Sequence, residues 1–211
     1  MLIVISESDF RPQEATIVNE LFQAGLDLFH IRKCDAGEKE LSELIAQIEP
    51  EYRQRLVLNH HHELGMNLGL KRFHYSEKDR TEWQKTNWKG MNSDRIYSTS
   101  VHSMEEFNNL PDHFSYAFLS PVFDSISKSD YKGVKFDFTK RQNKVTKLIG
   151  LGGIQSDNVD QAIRMGFEGV ALLGAIWNNS NPINEWNLCR DKISRFPPLE
   201  GDQGGGRLRV I

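Results

Sequence analysis

Short apolar runs alternate with amphipathic stretches along most of the chain. Eight of these runs have the length and composition of buried strands: Leu2–Ile5, Leu26–Ile31, Arg55–Leu58, Lys71–Tyr75, Arg95–Ser98, Tyr116–Leu119, Lys147–Leu151 and Gly169–Leu173. Strands separated by helices pair in parallel, because each helix returns the chain to the end of the sheet where the next strand begins. Eight such units favour closure over an open doubly wound sheet. We therefore predict a single-domain α/β protein with a (β/α)8 TIM-barrel fold.

Helical spacing of apolar residues is clear in four of the intervening stretches. They are Glu14–Ala24, Glu38–Ile48, Ser156–Met165 and a last helix near Glu185–Arg195. Gly25 and Gly166 follow two of these stretches and favour a helix end there. Ser156 and Asp157 are both candidates for the N-cap of the third stretch. By contrast, the polar segment Ser76–Asn92 has no clear periodicity, and Asp124–Gly133 has the composition of a long loop.

Composition narrows the class of protein. The 211 residues suit one domain; we assign residues 1–196 to the barrel and expect the glycine-rich tail 197–211 to be disordered. A net charge of −3 gives no basic surface for nucleic acid, and no apolar run is long enough to cross a membrane. Two cysteines are too few for a disulfide framework and fit a cytoplasmic location. The sequence leaves open whether the chain forms a homo-oligomer.

Two glycine-rich turns near the end of the chain are the strongest local signal for a ligand. Gly150–Ile154 follows the seventh strand, and Ala171–Ala175 follows the eighth. Glycines let backbone N–H groups approach an anion, and barrel enzymes often bind phosphate in this pair of loops. We expect Gly152, Gly153 and Gly174 to bind the phosphate of a small-molecule substrate. The alternative is two tight turns without a ligand.

Other polar residues follow the ends of the second and sixth strands. Ser125, Ser127 and Lys128 could surround phosphate oxygens, although a solvated serine-rich loop is the alternative. His30 and Arg32 lie two residues apart in a strand, so both point to the same side and could face the barrel mouth. The alternative for Arg32 is an ion pair with a barrel carboxylate.

A metal site is also predicted. Asn59 ends the third strand and Asp79 follows the fourth, and their oxygen atoms could hold a hydrated Mg²⁺ together with substrate diphosphate. A surface position for Asp79 is the alternative. The run His60–His62 has the residue type of a metal cluster, but consecutive side chains diverge, and we do not expect it to bind metal.

The motifs taken together resemble one enzyme family. In order they read His-Ile-Arg-Lys, Leu-Asn-His, Phe-His-Tyr-Ser-Glu-Lys-Asp, Ser-Val-His-Ser, Ser-Pro-Val-Phe-x-Ser-x-Ser-Lys and Gly-Gly-Ile. This series, from about Leu2 to Ile176, resembles the thiamine-phosphate synthases and their thiazole tautomerase (TenI) relatives. The resemblance implies a cytoplasmic transferase that joins an aminopyrimidine methyl diphosphate to a thiazole phosphate with Mg²⁺.

The resemblance also implies roles for residues. Those near the reacting groups would be Arg32, Ser100 and Lys128. Those that bind substrate would be His30, Lys33, Asn59, His74, Ser125, Ser127, Gly152, Gly153 and Gly174. The metal would be held by Asp79 and Asn59.

The sequence departs from the synthase pattern at the second strand and the third. His30 stands where a synthase has Gln, and Cys34 occupies the second basic position, with Lys33 one residue early. His60 stands where a synthase has a carboxylate next to Asn59.

The departures leave three hypotheses open. Arg32, Asn59, Asp79 and Lys128 are retained, which favours a synthase. The sequence His-Ile-Arg is closer to the tautomerases, although Pro121 occupies the position of their acid/base histidine. The chain could therefore be a synthase, a TenI-like thiazole phosphate isomerase, or a non-catalytic binder of a phosphorylated thiamine precursor.

Overall fold

Each of the eight apolar runs forms a strand, and the strands pair in parallel in chain order. In the computed structural model, which describes residues 1–86, 88, 91–124 and 132–196, they are β1 (Leu2–Ile5), β2 (Leu28–Ile31), β3 (Leu56–Leu58), β4 (Arg72–Tyr75), β5 (Ile96–Val101), β6 (Phe114–Leu119), β7 (Lys147–Leu151) and β8 (Gly169–Leu172). The sheet closes because β1 also pairs with β8, with Val4 beside Leu172. The predicted TIM barrel is confirmed.

Helices cover the outside of the barrel. They are α1 (Glu14–Gln23), α2 (Glu38–Gln47), α3 (His62–Asn67), α4 (Glu77–Lys85), α5 (Met104–Asn108), α6 (Val159–Met165), α7 (Gly174–Trp177) and α8 (Pro182–Ile193), with 3₁₀ turns at Pro50–Arg55 and Phe138–Lys140. The predicted tail 197–211 and the loop residues 125–131, which include Ser125, Ser127 and Lys128, lie outside the described residues. Within the described chain, no helix has the length and apolarity needed to span a membrane.

The alternation of side chains along each strand divides the apolar residues into two groups. The larger group lies between the strands and the helices, and the smaller one fills the barrel: Ile3, Ile5, Leu28, Val57, Tyr116, Phe118, Ile149 and Ala171. Residues two positions further along a strand face the same way. His30 follows Leu28 and Asn59 follows Val57 at this spacing, so the same parity brings polar groups into the barrel.

The predicted starts of β2 and α6 and the predicted role of Ser156 differ from the structure. Strand β2 starts at Leu28 because Leu26 still belongs to the turn after α1, where its N–H donates to Leu21 O. Helix α6 begins at Val159 with Asn158 as its N-cap. Ser156 instead donates through its N–H and hydroxyl to the carboxylate of Glu185, 2.6 and 3.0 Å away, and thereby ties the β7 loop to α8.

The polar segment after β4 forms helix α4 despite its weak apolar pattern. Ser76 is its N-cap and accepts a bond from Asp79 N, and the Asp79 carboxylate accepts bonds from the N–H and hydroxyl of Ser76. This reciprocal capping box satisfies N–H groups at the helix start, which compensates for a helix that buries little apolar surface.

A buried ion pair connects the end of β2 to helix α1. Lys33 Nζ lies 2.8 Å from Glu14 Oε2 and also donates to Asp9 O, and the two charged side chains are 1% and 3% exposed. Glu14 Oε1 is buried without a hydrogen-bond partner. Because both charges are out of water, each depends on the other for its solvation.

Lys33→Met is expected to lower the free energy of unfolding by about 3–5 kcal/mol, because it leaves the Glu14 carboxylate buried and unpaired. The double variant Lys33→Met with Glu14→Gln should recover most of that loss. As a control, Lys39→Met removes the exposed pair of Lys39 with Glu43 and should cost less than about 1 kcal/mol. Urea unfolding of the four proteins tests this, and equal losses for the two single variants would contradict it.

Candidate functional site

The carboxyl ends of the strands bring most of the predicted site residues to one mouth of the barrel. Arg32 and Asn59 directly follow β2 and β3, and Ser100 lies near the end of β5. The predicted phosphate-binding glycines follow the last two strands: Gly152, Gly153 and Gly174. In TIM barrels this is the end at which active sites are built.

His30 lies fully buried at the centre of this polar region. Its Nδ1 is 3.0 Å from Asn59 Oδ1, and its Nε2 is 2.6 Å from the Tyr116 hydroxyl. The ring packs against Phe118, with 4.8 Å between ring centroids. Burial lowers the pKa of His30 from 6.5 to about 3, so the imidazole is neutral at pH 7.

His74 lies beside His30, with 5.2 Å between the ring centroids. Its two ring nitrogens bond to two serines of β5: Nδ1 lies 3.0 Å from Ser98 Oγ, and Nε2 lies 3.0 Å from Ser100 Oγ. Burial also holds the pKa of His74 well below its usual value. The predicted residues His30, His74, Asn59 and Ser100 are thus brought together through neutral hydrogen bonds.

Arg32 directly follows β2, two residues beyond His30, and has one buried nitrogen without a partner. Its backbone N–H donates to Ser6 Oγ at 2.8 Å, which anchors the chain beyond β2. The guanidinium Nε is buried without a hydrogen-bond partner, and within the described residues Arg32 forms no ion pair. The alternative of a barrel carboxylate paired with Arg32 therefore finds no support in the described chain. A half-buried guanidinium group whose Nε has no partner is suited to an anionic ligand.

Lys33 is not brought together with Arg32. Successive strand residues point in opposite directions, and the ammonium group of Lys33 contacts Asp9, Glu14 and the ring of Phe10 instead of the barrel mouth.

A pocket of about 290 Å³ opens beside Asn59, between the ends of β3 and β4. It is lined by Asn59, His60, His61, His62, Tyr75, Asp79, Glu82 and Trp83. The Asp79 bonds to Ser76 use Oδ2, which leaves Oδ1 available to a ligand. The Asn59 oxygen already faces His30 Nδ1. Among the described residues, no group of three or more His, Cys, Asp or Glu side chains has an arrangement that could hold a metal ion.

Two of the departures from the synthase pattern, Cys34 and His60, contact each other beside this pocket. Cys34 Sγ lies 3.1 Å from His60 Nε2. A thiol and an imidazole thus stand together where the resemblance implies an ammonium group and a carboxylate.

Close approach of the β6 and β7 loops explains two of the glycines. Gly152 and Gly153 have φ values of +102° and +65°, and a Cβ on Gly153 would lie 2.2 Å from Asp124 O. Phe123 N donates to Gly152 O across the same contact. The N–H groups of both glycines donate to no backbone carbonyl in the described part of the chain. Packing between the two loops thus requires glycine at both positions, and their backbone N–H groups remain available to a ligand.

Two members of the polar cluster were not predicted. Ser98 lies two positions before Ser100 on β5, so strand periodicity could have identified it. Tyr116 stands in an apolar strand next to Phe118 and has the sequence pattern of a core residue. Its role depends on His30, which lies 86 positions away along the chain and is brought to it only by barrel closure.

The buried histidines should make stability fall in mild acid. A depressed histidine pKa means that the unfolded chain binds the proton more readily, so the stability contribution is complete above pH 6.5 and is lost as the pH falls from 6.5 towards 3. In that window His30→Gln should reduce the slope of unfolding free energy against pH by up to about 1.4 kcal/mol per pH unit. Urea unfolding between pH 8 and pH 4 measures both slopes; identical slopes would contradict a neutral His30.

Comparison with known proteins agrees with the motifs. The sequence profile of a family described as thiamine monophosphate synthase matches residues 1–176. Over 188 residues the chain is 25% identical to the thiamine-phosphate synthase of Lysinibacillus sphaericus (strain C3-41), covering 83% of this chain and 87% of that one. It is also 25% identical over 166 residues to the thiamine-phosphate synthase of Prochlorococcus marinus, covering 76% of this chain and 47%, about half, of that protein.

The fold has relatives among solved structures. The thiamine phosphate pyrophosphorylase from Bacteroides thetaiotaomicron is similar with a TM-score of 0.71 at 23% identity, covering 92% of this chain and 97% of that one. This likeness concerns the barrel itself. The profile match spans well over half of the chain and includes every strand of the barrel, and the chain therefore belongs to the thiamine monophosphate synthase family.

Proposed function

We propose that the protein is a thiamine-phosphate synthase, which couples an aminopyrimidine methyl diphosphate to a thiazole phosphate and releases diphosphate. The observation that carries this proposal is the guanidinium group of Arg32, whose buried Nε has no partner at the mouth of the barrel. Family membership supports thiamine biosynthesis as the setting.

The chemical task in this reaction is departure of diphosphate from a carbon that becomes cationic. Positive charge aimed at the leaving group lowers the energy of that step, and such preorganised electrostatics are commonly the largest catalytic contribution. Arg32 is the described residue that supplies it. Lys128 and the hydroxyls of Ser125 and Ser127 are expected from the family resemblance to act on the same diphosphate.

The second substrate has to be positioned more than activated, because its ring nitrogen is already a nucleophile. We assign its phosphate to the N–H groups of Gly152, Gly153 and Gly174, two of which donate to no described backbone carbonyl. Holding both reactants in one mouth converts a bimolecular encounter into a step with oriented partners.

Mg²⁺ belongs to this proposal with Asp79 as its main protein ligand. The free Oδ1 of Asp79 fits an oxygen-preferring ion, whereas the Asn59 oxygen is already engaged by His30 and His60 brings no charge. Glu82 of the same pocket is paired with Lys85, so the site fits a Mg²⁺ bound through Asp79 and held otherwise by water and substrate phosphate. A bound Mg²⁺ would neutralise charge on the departing diphosphate, and the single carboxylate predicts that it binds weakly.

A TenI-like isomerase is the second candidate, and one observation favours it. His74 is neutral and contacts the Ser100 hydroxyl, which gives the mouth an acid/base pair even though Pro121 stands at the tautomerase histidine position. A non-catalytic binder of a thiamine precursor would need the same anion contacts but no response of turnover to the metal.

Restoring the missing carboxylate distinguishes these functions. His60→Asp should tighten Mg²⁺ and raise the Mg²⁺-dependent coupling rate, because a second carboxylate faces the ion. Asp79→Asn should abolish what remains, by about 100-fold or more. The measurement is the coupling rate at saturating substrates across a Mg²⁺ titration.

Asp137→Asn provides a matched control for Asp79→Asn. Asp137 also caps a helical turn, by accepting from Thr139 N, but it does not line the pocket. Its Mg²⁺ curve should follow the wild type. Indistinguishable Mg²⁺ curves for the wild type, His60→Asp and Asp79→Asn would contradict the proposal that the protein is a synthase.

A further inference from the structure

The backbone directly after β6 packs against the glycine turn that follows β7. Phe123 N donates to Gly152 O at 3.1 Å, and a Cβ on Gly152 would lie 3.0 Å from Pro121 Cα. A Cβ on Gly153 would lie 2.8 Å from the carbonyl carbon of Phe123. Contacts this close leave no space between the two segments. The N–H groups of Gly152 and Gly153 therefore take their position from the chain that leaves β6.

His102 holds the start of that chain. Its Nδ1 lies 3.0 Å from Ser120 O and 3.4 Å from Ser120 Oγ. Because a carbonyl oxygen only accepts, Nδ1 carries a proton and donates it to Ser120 O. Ser120 is 7% exposed, and none of the described backbone N–H groups donates to its carbonyl. The imidazole of His102 thus satisfies a carbonyl of a buried residue one position before Pro121.

His102 is itself fixed by helices α4 and α5. Its backbone N–H donates to Glu106 Oε2 at 3.2 Å, and the same oxygen lies 3.5 Å from Arg80 Nη2. On its other side, His102 Nε2 lies 3.9 Å from Glu77 Oε2. Glu77 and Arg80 belong to α4, the helix that also carries Asp79. A series of contacts therefore runs from the helix of Asp79 through His102 to the chain after β6.

We propose that His102 is a positioning residue that holds the Gly152–Gly153 turn in the geometry needed to bind the substrate phosphate. It acts through Ser120 and the backbone packed on the turn, without touching the ligand. The inference rests on the proposed function, because it takes this turn as the phosphate site. Backbone N–H groups bind an anion when they converge on it, so a small displacement of the turn weakens binding.

Two substitutions of His102 separate this role from direct contact with the phosphate. In His102→Asn, Nδ2 is as many bonds from Cα as the imidazole Nδ1 and can still donate to Ser120 O. In His102→Leu the side chain has similar bulk but no donor. Neither variant can carry a positive charge, so a cationic role of His102 would be lost equally in both.

The variants are compared by coupling kinetics and by calorimetric titration with the thiazole phosphate alone. His102→Leu should raise both the KM and the Kd for the thiazole phosphate about three- to tenfold, the range expected for one hydrogen bond. Its kcat and its KM for the pyrimidine diphosphate should stay within about twofold of the wild type, because uniform binding is lost and not the chemical step. His102→Asn should stay within about twofold in every constant.

Asn108→Ala is the control for a loss of stability alone. Asn108 ends α5 at the end of the barrel where the strands begin, donates to Lys140 O at 2.8 Å and accepts from Gln142 N at 2.8 Å. The variant therefore loses bonds between a side chain and the backbone far from the mouth. It should lower the free energy of unfolding at least as much as His102→Leu and leave every kinetic constant unchanged.

Three results would overturn the positioning role. They are a wild-type affinity of His102→Leu for the thiazole phosphate, an equal loss in His102→Asn and His102→Leu, and the same rise of KM in Asn108→Ala. The first of these with coupling intact would leave the proposed function standing. The expected pattern of thiazole phosphate affinities without coupling would support the positioning role and contradict the synthase. A wild type that neither couples nor binds the thiazole phosphate would contradict both.

Discussion

Closure of a parallel barrel forces every second strand residue into one shared interior, and polar side chains placed there can satisfy only one another. The lower interior of this protein is filled by residues such as Ile3, Leu28 and Ile149. Towards the mouth, the same parity on β2 to β6 brings in His30, Asn59, His74, Ser98 and Tyr116. Because water does not reach these groups, each hydrogen bond depends on its neighbours, and both histidines stay neutral. The floor of the site is therefore polar and uncharged.

Charge is instead concentrated above that floor. Arg32 keeps a buried nitrogen without a partner, while Lys33, its neighbour in sequence, is used to bind Glu14 and hold α1 against β2. Beside the adjacent pocket, Cys34 contacts His60, where the family resemblance implies an ammonium group and a carboxylate. Under the proposed function, Arg32 supplies the positive charge for the leaving group, and Asp79 is the main carboxylate for the metal. This balance suits a synthase whose metal is bound chiefly through its substrate.

Periodicity was enough to predict the barrel, because eight apolar runs with helices between them have few other ways to pair. It could not predict the start of α6, since Ser156 is drawn to Glu185 of a helix 29 positions away. The alternation of side chains along a strand predicted that His30 and Arg32 point to one side. It could not predict that Lys33 forms a buried ion pair with Glu14. Tyr116 was not identified as a polar partner, because a lone tyrosine in an apolar strand looks the same whether its hydroxyl is used or not. Contacts across the barrel decide these cases.

The coupling proposal is tested most directly by its products. Purified protein would be incubated with the aminopyrimidine methyl diphosphate, the thiazole phosphate and Mg²⁺, and the coupled phosphate ester and free diphosphate would be quantified by mass spectrometry. The proposed function predicts that the two products appear in equal amounts and that both depend on the guanidinium of Arg32. Diphosphate release without the coupled product, or an isomerised thiazole phosphate as the only product, would contradict it.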